Sequence, residues 1–184
     1  MDHQDALALL APAIALTTDS PVWIDLGAGS GTFTRALAEL LGQNGTVHAV
    51  EREAKAVRSL RLLAEKAARD GRSARILVVH ADFAGAATLP SANGLLFANS
   101  LHFVGYDQQP SLLARLSATL QPRSSVVLIE YDRRSANPWV PYPIDRERLE
   151  RMATDAGLGA PRVVATAPSL YGAELYCAVM AARA

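Results

Sequence analysis

The sequence predicts an α/β fold: a mostly parallel seven-stranded sheet with helices on both faces, closed at its C-terminal end by an antiparallel hairpin. Three observations predict it. Apolar runs of strand length alternate with longer segments of helical period, a glycine-dense turn follows the first run at once, and the last two runs have no helix between them. Near-continuous apolar strands joined by helices must bury both of their sides, which is the condition of a parallel sheet. Half of the 184 residues are apolar, enough for one core, so a single domain over residues 1–184 is expected.

The elements follow in order. Residues 1–20, with "ALALLAPAIAL", read as an amphipathic N-terminal helix that serves as a lid, and residues 21–184 as the core. The N-terminal stretch has no basic start and is too short to cross a bilayer, so a soluble, cytoplasmic protein without a membrane partner is expected. "PVWIDL" is the first strand. Phe33, Leu37, Leu40 and Leu41 then fall at helical spacing, ended by Gly42. "TVHAV" is the second strand, and Val57, Leu60, Leu63 and Ala67 repeat the helical pattern up to Gly71. "RILVVHA", "GLLFAN" and "SSVVLIEY" supply three more strands, and "DRERLERMATDAG" a last helix. "RVVATA" and "ELYCAVMAA" are separated only by "PSLYGA", which predicts the hairpin. Five alternating strands closed by a hairpin make an unusual Rossmann-like sheet. His48 and His80, inside strands, are expected in the core, and His3 at the surface.

Composition removes several functions. The 18 basic and 18 acidic residues cancel, so no polycationic surface for nucleic acid or an anionic membrane is advertised. Cys177 is the only cysteine, which excludes an intrachain disulfide and a cysteine-based zinc site. No metal is expected.

Chemistry gathers at "DLGAGSGTF". A strand that ends in a glycine turn and opens a helix collects unpaired N–H groups and the positive end of a helix dipole at the carboxyl edge of the sheet. Glycine there lets a ligand lie on the main chain. The dinucleotide fingerprint GxGxxG requires glycine where Thr32 stands; the spacing here is GxGxG through Gly27, Gly29 and Gly31, and the Lys-Ser/Thr of a P-loop is absent. Glu51, ending the second strand, is placed to accept hydrogen bonds from two ribose hydroxyls, and its charge opposes a 2′-phosphate. Asp82 ends the third strand, where it can accept from an adenine amino group while Phe83 lines the ring. Each acid also has a local reading: Asp25 as a tie within the turn, Glu51 as an anion at a helix start, Asp82 as a cap.

"DLGAGSGTF", "VER", "ADF" and "ANSLHF", in that order, resemble the motif series of class I S-adenosylmethionine-dependent methyltransferases, from about Pro21 to the end of the chain. The resemblance implies S-adenosyl-L-methionine as cofactor. It implies that Asp25, Gly27, Ala28, Gly29 and Gly31 surround the methionine part, that Glu51 beside Arg52 holds the ribose, and that Asp82 and Phe83 meet the adenine. Asn99 is implied beside the methyl-transfer region.

Asn99 and His102 are the polar groups after the fourth strand able to touch an acceptor, and His102 is the candidate base. "ANSLHF" lacks the [DNS]PP[YF] tetrapeptide of base amino methylation and the Pro-Cys of cytosine methylation, which favours a small-molecule acceptor by elimination. Tyr131, Arg133, Arg134, Trp139 and Tyr142, with Tyr171 in the hairpin turn, are the candidate acceptor residues. Rings that stack and guanidinium groups that pair an anion suit a planar or carboxylated acceptor, although each of these side chains could instead serve packing or solvation. Three other readings stay open: a non-catalytic cofactor-binding module, a dinucleotide-dependent oxidoreductase, and aminopropyl transfer.

Overall fold

The first helix, α1 (His3–Ile14), is fixed at its start by a capping box in which Asp2 and Asp5 each accept from the other's backbone N–H. The computed structural model describes residues 1–17, 22–169 and 173–182; Pro21 and Tyr171 lie outside them. The chain continues through β1 (Val22–Leu26), α2 (Thr32–Leu41), β2 (Thr46–Glu51), α3 (Ala54–Asp70) and β3 (Arg75–His80). Then come β4 (Ala92–Ala98), α4 (Gln109–Ser117), β5 (Leu120–Tyr131), α5 (Arg146–Asp155), β6 (Arg162–Ala167) and β7 (Leu175–Ala181). Gly42 and Gly71 stand at the ends of α2 and α3, as the sequence predicts.

The sheet has seven strands in the order β3-β2-β1-β4-β5-β7-β6. All neighbours are parallel except β7, which runs antiparallel to both β5 and β6. The predicted architecture and the C-terminal hairpin are therefore present.

Side chains alternate between the two faces along each strand. In β1, Trp23 joins a core with Leu9, Leu10, Leu37 and Leu60, from α1, α2 and α3. Ile24 and Leu26 join the opposite core with Leu113, Leu149 and Met152, from α4 and α5. The N-terminal helix is more than a cover, because Ala6, Leu9, Leu10 and Ala13 are buried in the core.

Before the C-terminal hairpin, the alternation of strand and helix breaks once. Residues 81–91 cross from β3 to β4 without a helix. Gly85 and Pro90 interrupt the segment, which has no apolar helical period, and Phe83 and Leu89 pack it onto the sheet. The histidines also differ from expectation. His80 is exposed, because β3 is an edge strand and its last residue meets solvent; its Nε2 donates to the Arg52 carbonyl at 3.0 Å. His48 is half-buried. His3 is half-buried too, held to Glu39 at 2.8 Å as α1 packs on α2.

The strand order reverses between β1 and β4. In open α/β sheets the crevice outside the carboxyl ends at this switch point is the binding position.

Candidate functional site

The carboxyl ends of β1 to β5 open into a cavity of about 740 Å³ at that switch point. The glycine turn forms its floor. The N–H groups of Gly27 and Ala28 donate to the Val50 carbonyl at 2.9 and 3.0 Å, which hitches the turn to β2. A Cβ on Gly27 would stand 2.6 Å from the Ser100 Cβ, so glycine there serves packing. Gly29 differs. Its φ of +56° is left-handed, yet among the described residues no atom beyond its two chain neighbours lies within 4 Å of the position a Cβ would take. The open side of Gly29 is cavity, which is the condition for a ligand to touch the main chain. Gly31 begins α2 with no side-chain cap among the described residues, and Thr32 and Phe33 line the cavity beside it. An uncapped helix start therefore faces the cavity.

Glu51, only 8% exposed, accepts three backbone hydrogen bonds of 2.8 Å each: Oε2 from Gly29, Oε1 from Arg52 and Glu53. It ties the glycine turn to the start of α3 and keeps about one of a carboxylate's four lone-pair positions for a ligand. Asp82 also lines the cavity; its Oδ1 accepts from the Ala84 N–H at 2.9 Å, and its Oδ2 lies 3.5 Å from Arg52 Nη1. Phe83 presents its ring in the wall, held edge-on to Phe97 with centroids 6.0 Å apart. Asp25 does not reach the wall. It is 1% exposed and accepts from the Thr34 hydroxyl at 2.6 Å, tying β1 to α2. Burial lifts its carboxyl from 3.8 to about 7, against the Thr34 bond and with the help of the Glu51 charge.

At the end of β4, Asn99 holds a left-handed φ of 54° while its N–H donates to the Ile129 carbonyl at 2.9 Å. Asn99 is among the residues that line the cavity, but its Oδ1 is closed off from solvent and has no hydrogen-bond partner among the described residues. His102 is not on the wall. It is 2% exposed, with Nδ1 2.5 Å from Glu130 Oε2, and its backbone N–H donates to Glu130 Oε1 at 3.2 Å. The ring packs behind Phe103 and Tyr131, at centroid distances of 4.3 and 6.0 Å, and these two do line the cavity.

The rest of the predicted acceptor set stands outside the wall. Arg133 Nε donates to the Ser135 carbonyl at 2.6 Å, and Arg134 pairs with Asp145 and Glu147 at 3.2 and 3.1 Å. Trp139 is 63% exposed, and Tyr142 stacks edge-on with Tyr106 at 5.4 Å. Sequence reasoning missed Gln109. Fully buried, it donates to the Val104 and Tyr142 carbonyls, both at 3.0 Å, and accepts from Arg148 Nε at 2.9 Å. Arg148 in turn stacks 4.5 Å over the Tyr106 ring. Gln109 thereby binds the loop after β4 to the loop after β5. A glutamine at a helix start carries no signal in sequence that its carboxamide will turn inward.

The comparisons with known proteins agree with this geometry. A family model described as "Methyltransferase domain" matches residues 24–123, more than half of the chain. A comparison with curated protein sequences returns no match. Among solved structures, the mitomycin 7-O-methyltransferase MmcR is 20% identical with a TM-score of 0.68, covering 98% of this chain and 54% of its own. The present chain thus spans about half the length of that protein. Magnesium protoporphyrin IX methyltransferase from Synechocystis PCC 6803, solved with bound S-adenosylmethionine, is 14% identical with a TM-score of 0.75, covering 99% of this chain and 79% of its own. The Burkholderia thailandensis 1,6-didemethyltoxoflavin-N1-methyltransferase, solved with S-adenosylhomocysteine, is 21% identical with a TM-score of 0.72, covering 99% of this chain and 78% of its own. Such identities establish a common fold. With the family model running from β1 into the start of β5, across the carboxyl ends of β1 to β4, the chain belongs to the methyltransferase domain family, whose methyl donor is S-adenosylmethionine.

Proposed function

We propose that the protein transfers a methyl group from S-adenosylmethionine to a small-molecule acceptor. One observation carries the reading: a single cavity joins the glycine turn, the acids Glu51 and Asp82, and the unpartnered Asn99 carboxamide. The residues present fit the cofactor. The uncapped start of α2 suits an amino-acid carboxylate, Glu51 retains a lone pair for a ribose hydroxyl, and Phe83 beside Asp82 offers a flat apolar face next to an acceptor oxygen. Gly27, Ala28, Gly29 and Arg52 complete the wall around it. Asp25 and Gly31 act from behind, by shaping the turn.

The bound cofactor supplies a methyl group already activated by a sulfonium. The chain's own contribution is then to hold an acceptor in line and exclude water. Phe103, Val104, Tyr131 and Asn99 stand where that is done. His102 touches the cavity only through Phe103 and Tyr131, so it is assigned a positioning role, with Glu130 fixing its ring. An acceptor already neutral and nucleophilic at working pH needs no base in contact. The names of the mitomycin and didemethyltoxoflavin enzymes support O- and N-acceptors of small size.

The burial of His102 is the observation that favours a non-catalytic binding module. The dinucleotide reading is disfavoured by the antiparallel β7 between β5 and β6, where the dinucleotide order runs 3-2-1-4-5-6. Calorimetric titration with S-adenosylmethionine, S-adenosylhomocysteine and NADH tests the cofactor. Binding of NADH with neither sulfur compound overturns the proposal. Transfer of labelled methyl into a metabolite extract eliminates the binding module.

A further inference from the structure

Residues 81–91 cross from β3 to β4 without a helix of their own, yet they carry Asp82, Phe83 and Ala84 into the cavity wall. A connection of this kind keeps one shape only through partners outside it. Part of the support is apolar. The Phe83 ring stands edge-on to Phe97 and so close to the glycine turn that a Cβ on Gly27 would meet it at 3.1 Å. The backbone is fastened from elsewhere. Arg115 Nη2 donates to the Phe83 carbonyl at 3.1 Å and to the Ala84 carbonyl at 3.4 Å. Among the described residues no other side chain from outside the segment hydrogen-bonds the backbone of residues 82–85.

Arg115 belongs to the last turn of α4, where an arginine ordinarily serves the free carbonyls and dipole of its own helix. Here it reaches across to a different segment. Leu112, Leu113 and Leu116 beside it are buried in the core and pin α4 there, so the guanidinium is presented from a rigid element. A planar trans peptide points its C=O and its N–H in opposite directions. Fixing the Phe83 carbonyl therefore also fixes the Ala84 N–H, which donates to Asp82 Oδ1 at 2.9 Å. The other carboxylate oxygen, Oδ2, lies 3.5 Å from Arg52 Nη1. Two arginines, one from α4 and one following β2, thus orient one carboxylate beside one ring.

Resting on the methyltransferase reading, and on the placement of the cofactor's purine against Asp82 and Phe83, we propose that Arg115 is a positioning residue for the cofactor. It holds the peptide between Phe83 and Ala84 so that the Asp82 carboxylate meets the purine's amino group while the Phe83 ring covers the purine face. Arg115 is itself outside the cavity wall. It acts on the purine end alone, so its loss should blunt the recognition of the amino group more than binding in general.

The test measures, by calorimetry, the binding of S-adenosylhomocysteine and of its analogue in which purine riboside replaces adenosine. The analogue has a hydrogen where adenosine has its amino group, so it offers the Asp82 carboxylate no donor. The wild type should prefer S-adenosylhomocysteine by about tenfold. Arg115→Met keeps the reach of the side chain, removes its donors and, at an exposed position, leaves the core untouched. It should lose about fivefold in S-adenosylhomocysteine affinity and much less for the analogue, so that the preference shrinks to about twofold. Arg115→Lys still brings a charged donor to the carbonyls and should recover most of the preference. Urea unfolding of each variant follows stability separately, because an arginine that only braces the fold would lower stability and leave the preference intact. A folded Arg115→Met protein that keeps the wild-type preference, or that loses affinity for both compounds equally, overturns the proposal. Asp82→Ala and Phe83→Ala separate its failure from that of the reading beneath it. If both bind S-adenosylhomocysteine as the wild type does, the purine lies elsewhere and the proposal falls with that placement. If they weaken binding and Arg115→Met does not, the placement stands and the role of Arg115 is refuted. Failure of the wild type to bind S-adenosylhomocysteine at all would instead remove the methyltransferase reading.

Discussion

Asp25→Asn should change how stability depends on pH. The carboxyl is almost completely buried, and its lift from 3.8 to about 7 comes first from burial, then from the Glu51 charge, against the Thr34 hydrogen bond. The folded protein therefore binds this proton more tightly than the unfolded chain. That contribution to stability is fully present below the unfolded value near 3.8 and is lost as pH rises through about 7. A lift of roughly three units, at about 1.36 kcal/mol each, corresponds to a total of about 4 kcal/mol. Between pH 5 and pH 8 the share that disappears is about 2 to 3 kcal/mol. Asparagine keeps an oxygen for the Thr34 hydroxyl but carries no titration. Urea unfolding of both proteins at pH 5 and pH 8 measures the effect: the stability of the wild type relative to Asp25→Asn should fall by about 2 to 3 kcal/mol across that interval. An equal difference at the two pH values would refute the reasoning, and a rise with pH would reverse its sign.

Glu51→Gln should weaken S-adenosylhomocysteine binding at least tenfold by calorimetry, because each charge-assisted hydrogen bond lost is worth roughly 1.5 to 3 kcal/mol. Gly29→Ala meets no atom within 4 Å among the described residues beyond its chain neighbours but must hold a φ of +56°, so it should cost about 1 to 2 kcal/mol in stability. Its S-adenosylhomocysteine affinity should fall more than tenfold, and unchanged affinity in the folded variant would contradict a close backbone approach. Gln109→Leu leaves the Val104 and Tyr142 carbonyls without their shared donor, and thermal or urea unfolding should show a loss of at least about 2 kcal/mol. His102→Ala keeps the backbone bond to Glu130 Oε1 but leaves Oε2 of this fully buried carboxylate without its partner, and should destabilise by about 3 kcal/mol, while S-adenosylhomocysteine affinity stays within a few-fold of the wild type.

The sequence by itself determined the sheet, its terminal hairpin and the position of the glycine turn. These depend on local information: the period of apolar residues, the glycines that end α2 and α3, and the short "PSLYGA" link that leaves no room for a helix. It also determined that Glu51 and Asp82 stand together at one edge, since a parallel sheet brings the carboxyl ends of β2 and β3 side by side. The missing helix between β3 and β4 was half legible, because Gly85 and Pro90 interrupt the segment. What only the tertiary structure decided is where the polar side chains of the long loops end up. His102 and Arg134 look alike in sequence as groups free to meet an acceptor, yet one is buried against Glu130 and the other is tied to Asp145 and Glu147. Gln109 looks like an ordinary surface residue and is fully buried between two loops. The physical reason is that a loop side chain has no periodicity to set its direction. Its partner comes from another part of the chain, 28 residues away for His102 and 33 for the Tyr142 carbonyl that Gln109 holds, and only the folded backbone brings the two within hydrogen-bonding distance.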